Sequence, residues 1–321
     1  MRPVRTAFAG ALLGTLVLAG CGQTGANVAP SNSPDSPPPT TAAAGAGDFP
    51  VTVEAGNGKV TLAKKPERIV SLSATHTETL FAVGAGPQVV AVDDQSNYPP
   101  EAPKSDLSGF KPNVEAIIAK KPDLVILSND QDKIVAELAK VNVPVLLEPA
   151  ATGLEEAYEE ISEIGAATGN KAKADEVVSG MKAAMAKLAA DAPKDKKLTY
   201  YHELDQTPYA ATSKTFIGQV YAMFGLTNIA DQAPDAAGGY PKLSAEFVAQ
   251  ADPALIFLAD VKCCQQSKET LVKRPGWKNL SAVKNDQVIQ LDDDLASRWG
   301  PRVVDLAQAI GAAVAKAGGA G

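Results

Sequence analysis

Two stretches of the chain repeat one arrangement of a helical pattern, a proline and an apolar run. The first reads NVEAIIAKKPDLVILS from Asn113, and the second reads SAEFVAQADPALIFLA from Ser244. In each, a glutamate stands two residues after the opening Asn or Ser and seven before the proline. Asn and Ser are favoured N-cap residues, and a residue that precedes proline disfavours helix. Each stretch therefore predicts a short helix followed by a buried strand, and the repeat predicts that one structural unit is used twice.

The same alternation of strand and helix continues along most of the chain. The runs RIVSLS, QVVAVDD, VPVLLEP, KLTYYHEL and QVIQLDDD predict further strands, and amphipathic patterns lie between them. The stretch 153–192 differs, because its helical pattern is long and is broken only near TGN. Strands that alternate with helices indicate βαβ units. We therefore predict an α/β fold with two Rossmann-like lobes, mostly parallel sheets and one long helix between the lobes.

The N-terminus has the pattern of an export signal followed by a tether. A basic start, MRPVR, precedes an apolar segment that is too short to span a membrane and ends in LAGC. LAGC resembles the bacterial lipobox, which implies a signal peptide over 1–20 and a lipidated Cys21. The alternative is an ordinary secretory signal with a chance cysteine. Residues 21–49 are rich in Pro, Gly, Ser, Thr and Ala, so they predict a disordered tether.

The remaining chain predicts three parts, and its composition excludes several classes of function. The parts are an N-terminal lobe at 50–168, an interlobe helix at 169–192 and a C-terminal lobe at 193–321. The formal charge of −7 and the lack of a basic stripe argue against a nucleic-acid partner. Two histidines are too few for a zinc or manganese carrier. No common catalytic motif is present, so we predict neither an enzyme nor a bound cofactor.

Several motifs resemble the class III substrate-binding proteins of ABC importers. They are PERIVSLSATHTETLFAVGAG, VDDQSNYPPEA, PNVEAIIAKKPDLVI, TPYAATSKTFIGQ, LSAEFVAQADPALIFLAD and RPGWKNLSAVKNDQV, and they span nearly all of 51–317. The family carries vitamin B12, ferric siderophores and haem. The resemblance implies a rigid pair of lobes with ligand between them, an ABC permease with its ATPase as partner, and a monomer anchored outside the cytoplasm by lipid.

Within that family the chain most resembles the vitamin B12-binding branch, through DDQSNYPPEA, SGFKPNVEAI and TPYAATSKTFIGQ. A cobalt corrinoid is therefore the leading ligand, and a ferric siderophore or haem is the alternative. Arg298 and Arg302 in SRWGPR keep an anionic siderophore open, because such ligands need clustered arginines. An extracytoplasmic enzyme and an adhesion lipoprotein are more distant alternatives.

The resemblance also implies a role for the two glutamates of the repeat. In these importers one exposed glutamate on each lobe pairs with arginines of the permease, and the matching positions are Glu115 and Glu246. The alternative is that each acid merely complements the dipole of its helix.

Ligands of doubly wound sheets bind at the carboxyl ends of the strands, so the loops after the predicted strands hold the candidate contacts. Aromatic residues collect there although they form only 5% of the chain, and they could stack on a flat macrocycle. By resemblance, Gln95 and Phe110 fall where B12-binding relatives place aromatic contacts, although Gln95 departs from that pattern. Asp294 falls near an acid that meets the corrin amides. The predicted ligand-binding residues are His76, Gln95, Tyr98, Phe110, His202, Tyr209, Tyr240, Asp294, Arg298 and Trp299.

The sequence leaves two questions open, the role of the histidines and the state of the adjacent cysteines. Either histidine could be an axial ligand to cobalt or iron, or else a surface or hydrogen-bonded residue. Cys263 and Cys264 are adjacent in VKCCQQS and in an exported protein predict a disulfide. Two free thiols and a contact with the ligand are the alternatives.

Overall fold

The computed structural model describes residues 49–193, 197–233 and 237–318, which belong to one compact unit that spans Ala44–Gly321. The predicted signal peptide, Cys21 and tether residues 21–48 lie outside the described residues. Among the helices of the described part, none is both long enough and apolar enough to cross a membrane.

The N-terminal lobe is built on a four-stranded parallel sheet in the order β4-β3-β5-β6. A hairpin precedes it, and the tip of the hairpin is bound to β6 through the Asn57 side chain and Gly56 N–H. The strands are β1 Val51–Ala55, β2 Gly58–Leu62, β3 Ile69–Leu72, β4 Val89–Val92, β5 Leu124–Leu127 and β6 Val145–Leu147. The helices are α1 Ala74–Ala82, α2 Val114–Ala119 and α3 Ile134–Ala139.

Two packed helices lead from the first sheet to the second. They are α4, Leu154–Ala167, and α5, Lys171–Asp191, and Gly169 turns the chain between them with a φ of 70°. At Gly165 a side chain would meet Ala174 Cβ at 2.2 Å, so glycine is what allows α4 and α5 to approach this closely.

The C-terminal lobe repeats the plan with a sheet in the order β11-β10-β7-β8, in which β9 also pairs with β7. β10 is parallel to both β7 and β11, whereas β8 is antiparallel to β7. The strands are β7 Thr199–Asp205, β8 Tyr209–Ala210, β9 Thr227–Asn228, β10 Leu255–Leu258 and β11 Val288–Gln290. The helices are α6 Phe216–Ala222, α7 Ala245–Ala251, α8 Val261–Cys264, α9 Lys268–Leu271, α10 Ser281–Lys284, α11 Asp293–Ser297 and α12 Val303–Gly318.

The central strands of both sheets are buried on both faces. Every residue of β3, β5 and β10 is buried, which explains why these strands read as continuous apolar runs rather than as alternating ones. The mixed α/β architecture with two mostly parallel sheets is the one predicted from the sequence.

The repeat seen in the sequence is also a repeat in the structure. α2 precedes β5, and α7 precedes β10, in the same relation. Each helix ends at a residue with positive φ immediately before the proline: Lys121 at 51° and Asp252 at 41°. The two units therefore share both their order of elements and the backbone geometry that closes the helix.

Candidate functional site

A cleft of about 350 Å³ lies at the carboxyl ends of β3, β4 and β5, and α11 of the C-terminal lobe forms its other wall. This is where ligands bind in open parallel sheets. The lining residues come from the three connections that follow β3, β4 and β5 in the first lobe, and from α11 and the segment after it in the second. They are Leu72, Ser73, Ala74, Thr75, Asp93, Gln95, Gly109, Phe110, Ser128, Asn129, Asp294, Ser297, Arg298 and Trp299.

The floor of the cleft is shaped by a close approach of two loops. At Gly109 a side chain would lie 2.5 Å from Leu72 O and 2.9 Å from Asp93 Oδ2, so only glycine fits there. Ser96 Oγ donates to Asp93 Oδ1 over 2.5 Å. Burial raises the pKa of Asp93 despite that hydrogen bond. The next residue, Phe110, is left 72% exposed at the mouth of the cleft.

A buried ion cluster joins the two lobes beside the cleft. Glu78 of α1 is 3% exposed and accepts from Arg298 Nη1 at 2.5 Å and from Arg302 Nε at 2.8 Å. Arg302 Nη2 also donates to Glu78 Oε1 over 2.5 Å. Glu78 was not among the predicted site residues. An acid within the amphipathic pattern of TETLF was the available signal, but its partners lie more than two hundred residues away in sequence.

Arg298 lines the cleft, yet its guanidinium is almost fully engaged. Besides Glu78, it donates to Asp294 Oδ1 at 2.8 Å, to Asn97 Oδ1 at 3.0 Å and to Gln95 O at 3.0 Å. Its side chain is only 9% exposed. The guanidinium of Arg302 lies 4.0 Å from the centre of the Tyr98 ring, a cation–π contact. These contacts fix the loop after β4 against α11.

Asp294 is the acid of the cleft wall, and Lys262 and Arg298 hold it in place. Burial would raise the pKa of Asp294, but the hydrogen bond from Lys262 and the charge of Arg298 outweigh it, so the pKa lies below its usual value. Asn97 Nδ2 also donates to Asp294 Oδ2 over 3.0 Å. Asp294 is therefore charged at neutral pH and still 22% exposed.

Trp299 lines the cleft and is also hydrogen-bonded to the first lobe. Its Nε1–H donates to Glu160 Oε2 of α4 over 2.8 Å, and its ring meets the ring of His76 edge to face at 5.9 Å. This hydrogen bond gives the half-buried indole one orientation, so Trp299 is a fixed apolar surface for a ligand.

The vicinal cysteines lie behind this wall. The structure joins Cys263 to Cys264 by a disulfide in α8. The carboxylate of Asp293 accepts from three backbone N–H groups of α8, those of Val261, Lys262 and Cys263. Asp293 thus binds α8 to α11, the helix that carries Asp294, and neither cysteine lines the cleft.

Four of the five predicted aromatic contacts, all but Trp299, are side chains that the fold leaves exposed. Five large hydrophobic side chains of the described residues are exposed: Tyr98, Phe110, Val141, Tyr209 and Tyr240. Four of the five are in the predicted ligand set. Phe110 lines the cleft together with Gln95, Asp294, Arg298 and Trp299, whereas the three tyrosines lie outside its lining.

The structure corrects our expectation for the two histidines. His76 and His202 are both fully buried, and neither lines the cleft. His202 Nδ1 lies 2.9 Å from Tyr221 Oη, and burial lowers the pKa of His202 to about 4. His76 Nε2 lies 3.6 Å from Glu160 Oε2, too far for a hydrogen bond. In this conformation neither ring reaches a ligand in the cleft, because each belongs to the packed interior.

The other two arginines of the described body are engaged elsewhere. Arg274 binds the buried Glu203 through both terminal nitrogens, at 2.5 and 2.6 Å. Arg68 donates to the carbonyls of Lys120 and Lys121 at the end of α2. All four arginines beyond the predicted signal peptide therefore have structural partners, and the cleft lining contains no lysine.

Glu115 and Glu246 occupy equivalent places, each exposed on the first turn of its helix. Asn113 Oδ1 caps α2 by accepting from Ala116 N–H, and Ser244 Oγ caps α7 by accepting from Phe247 N–H. The capping residues thus leave both glutamate carboxylates free of a capping role.

A separate cavity, of about 240 Å³, is strongly acidic. It is lined by Glu54, Ala55, Gly56, Glu148, Pro149, Glu156, Glu159, Glu160 and Glu163. Glu148 is 3% exposed, and its Oε1 has no hydrogen-bond partner among the described residues. Burial and the charges of Glu163 and Glu160 raise the pKa of Glu148 to about 9. Among the described residues, no group of three or more potential ligands is placed to hold a metal ion.

A family model described as periplasmic binding protein matches residues 69–295 of the chain. The chain belongs to this family. It is 32% identical over 312 residues to an uncharacterized ABC transporter substrate-binding lipoprotein, YvrC, of Bacillus subtilis, and the match covers 93% of each protein. It is 30% identical over 268 residues to a cobalamin-binding protein of Halobacterium salinarum, which covers 80% of this chain and 72% of that protein.

A solved structure, the periplasmic heme-binding protein RhuT of Roseiflexus in its apo form, is 26% identical to this family member. The superposition has a TM-score of 0.66 and covers 77% of this chain and 99% of that one. The predicted family, the class III substrate-binding proteins of ABC importers, is thereby confirmed. The family is one of transport proteins that act outside the cytoplasm with an ABC permease and its ATPase.

Proposed function

We propose that this periplasmic binding protein captures a cobalt corrinoid in the cleft and delivers it to an ABC permease. The proposal rests on one observation: the guanidinium group of every arginine of the described body already binds a carboxylate or a backbone carbonyl of the protein itself. An anionic siderophore needs free guanidinium groups, whereas a corrinoid needs an apolar surface and hydrogen-bond partners for its amides. Phe110 and Trp299 supply the surface, and Asp294 and Asn129 supply hydrogen-bond partners.

The kinship with a cobalamin-binding protein of Halobacterium salinarum supports the same ligand class. The likeness to a heme-binding protein keeps haem as the second candidate, since haem is also a flat macrocycle. We include in the proposal that lipid on Cys21 holds the protein at the membrane, and that Glu115 and Glu246 bind the permease.

Calorimetric titration of the purified protein with cyanocobalamin, a ferric siderophore and haemin tests the ligand. We expect one-to-one binding of cyanocobalamin alone. Phe110→Ala should weaken that binding by about fivefold or more, because a stacked ring is worth about 1 kcal/mol beyond its buried area.

Val141→Ala is the matched control, since Val141 is also exposed but lies outside the cleft. Binding of only the siderophore would overturn the corrinoid assignment, and binding of only haemin would replace it with haem. An unchanged affinity in Phe110→Ala would remove this residue from the site.

A further inference from the structure

We propose that Glu78 determines which ligands the cleft accepts, by neutralising Arg298 and Arg302 and so excluding anionic chelates. This inference rests on the proposed function, because it concerns the specificity of the same cleft. Glu78 itself does not line the cleft. It acts through the arginines that it binds, and it is a specificity-determining residue rather than a ligand contact.

The charges of the cluster cancel. Glu78, Asp292 and Asp294 carry three negative charges, and Arg298, Arg302 and Lys262 carry three positive charges, all within one group of linked ion pairs. Glu78 holds both arginines, whereas Asp294 holds only Arg298. Loss of the Glu78 charge therefore leaves one positive charge uncompensated at the wall of the cleft.

The burial of the cluster makes this charge effective. The Glu78 side chain is 2% exposed, the Arg298 side chain 9% and the Arg302 side chain 20%. Charges that are shielded from water are screened less by solvent and salt than surface charges are. Arg298 also lines the cleft, so a ligand carboxylate bound there lies close to the uncompensated guanidinium.

The acid and the two arginines of this cluster come from different lobes. Glu78 lies on α1 of the first lobe, and both arginines lie on the segment that joins α11 to α12 of the second. The cluster can therefore set the charge of the cleft only while both lobes are in place. The loop after β4 is part of it as well, through Gln95 O and the Tyr98 ring.

Ferric citrate, an anionic chelate, is the probe for Glu78→Gln, and cyanocobalamin is the second ligand. We expect no measurable ferric citrate binding by the wild-type protein. Glu78→Gln should bind ferric citrate measurably, at least about tenfold more tightly than the upper limit set by the wild-type titration, since one uncompensated charge of this kind is worth about that factor. The gained affinity should fall as sodium chloride is raised. If Glu78 had a purely structural role, Glu78→Gln would weaken cyanocobalamin binding and would not create ferric citrate binding.

Three control variants isolate the charge. Glu78→Asp keeps the charge and should still exclude ferric citrate. Glu78→Gln combined with Arg302→Gln restores neutrality and should lose the gained binding. Glu137→Gln removes the same charge from an exposed pair with Lys140 outside the cleft, and should behave as wild type.

Asp294→Asn keeps the test decisive if Glu78→Gln does not fold. Asp294 is 22% exposed, so replacing it should destabilise the fold less than replacing Glu78. The substitution removes one negative charge beside Arg298 and so leaves the same single positive charge uncompensated. The inference is overturned if the variants that fold bind ferric citrate no better than wild type. Because this readout does not involve cyanocobalamin, it stands whether or not the corrinoid assignment survives its own titration.

Discussion

At the scale of single residues, Glu148 couples stability to pH in the neutral and mildly alkaline range. Its pKa is raised from an ordinary value of 4.5 to about 9, chiefly by burial. Between these values the folded protein holds a proton on Glu148 that the unfolded chain does not. The native state therefore binds more protons, and the free energy of unfolding falls as pH rises.

We predict that the wild-type protein loses about 2 kcal/mol of stability between pH 7 and pH 9, at up to about 1.4 kcal/mol per pH unit for one proton. Glu163 and Asp260, whose pKa values burial raises to about 7, act mainly below this window. Urea unfolding followed by tryptophan fluorescence measures the effect. Glu148→Gln should flatten the dependence, whereas the exposed Glu155→Gln should leave it unchanged. Equal slopes in wild type and Glu148→Gln would contradict the assignment.

The sequence indicated which residue types form the cleft but not how they pair. Trp299 was predicted from its place after a strand, Phe110 from its place before a helix and from the family resemblance, and Asp294 from that resemblance alone, and all three line the cleft. His202 also follows from a strand position, yet it lies inside the sheet core against Tyr221. Strand periodicity does not reveal which face of a strand points to the cleft when both faces are buried. Glu78 depends on partners from the other lobe, which no local pattern shows.

At the scale of elements, two features act on α8 with unequal weight: a disulfide within the helix and the hydrogen bonds that it donates to Asp293 of α11. The disulfide joins adjacent residues, so it closes no loop of chain in the unfolded state and contributes little loop entropy. Asp293 satisfies three backbone N–H groups of α8, which would otherwise be left without their partner.

We predict that Cys263→Ser with Cys264→Ser changes the free energy of unfolding by less than about 0.5 kcal/mol. Asp293→Ala should lower it by about 1–2 kcal/mol, because it removes the N-terminal hydrogen bonds of α8. Asp293→Asn retains one acceptor oxygen and should fall between the two. Chemical unfolding of the three variants is the measurement, and a larger loss in the cysteine variant than in Asp293→Ala would reverse the ranking.

The helix–proline–strand units were the elements best predicted from sequence, because cap, periodicity and proline all agree there. The hairpin of β1 and β2 was missed although VTVEA-GN-GKVTL carries its signal, an alternating pattern around a Gly-Asn turn. α9 is shorter than the helical pattern of KETLVKRPGW suggests, since Pro275 and the positive φ of Gly276 stop the helix. The turn of the hairpin and the end of α9 are therefore both set by residues next to them in the sequence.

At the scale of the whole molecule, the equivalence of α2 and α7 gives the two lobes matched acidic groups. Glu115 and Glu246 are exposed at the same point of the same unit, and neither has an ion-pair partner within the described ranges. A partner with two basic sites at the corresponding spacing could bind both at once. The pairing would then be sensitive to ionic strength.

We predict that Glu115→Ala with Glu246→Ala lowers uptake of the ligand by at least about tenfold while leaving its affinity for the isolated protein unchanged. Uptake by cells that depend on the variant, together with calorimetry, measures the two effects. Glu155→Ala with Glu269→Ala is the matched control, because these acids are also exposed on the first turns of helices. If both double variants transport equally well, the two glutamates serve only their own helices.

The ion cluster around Glu78 also bears on how a ligand can leave. Moving the lobes apart at the cleft would separate Glu78 from two guanidinium groups, which have lost most of their access to water. Removing one partner of such a buried group costs about 3–5 kcal/mol. Opening the lobes at the cleft therefore carries a free-energy cost of about this size. The same cost opposes lobe separation whether a ligand enters or leaves, so the cluster favours the closed arrangement of the cleft.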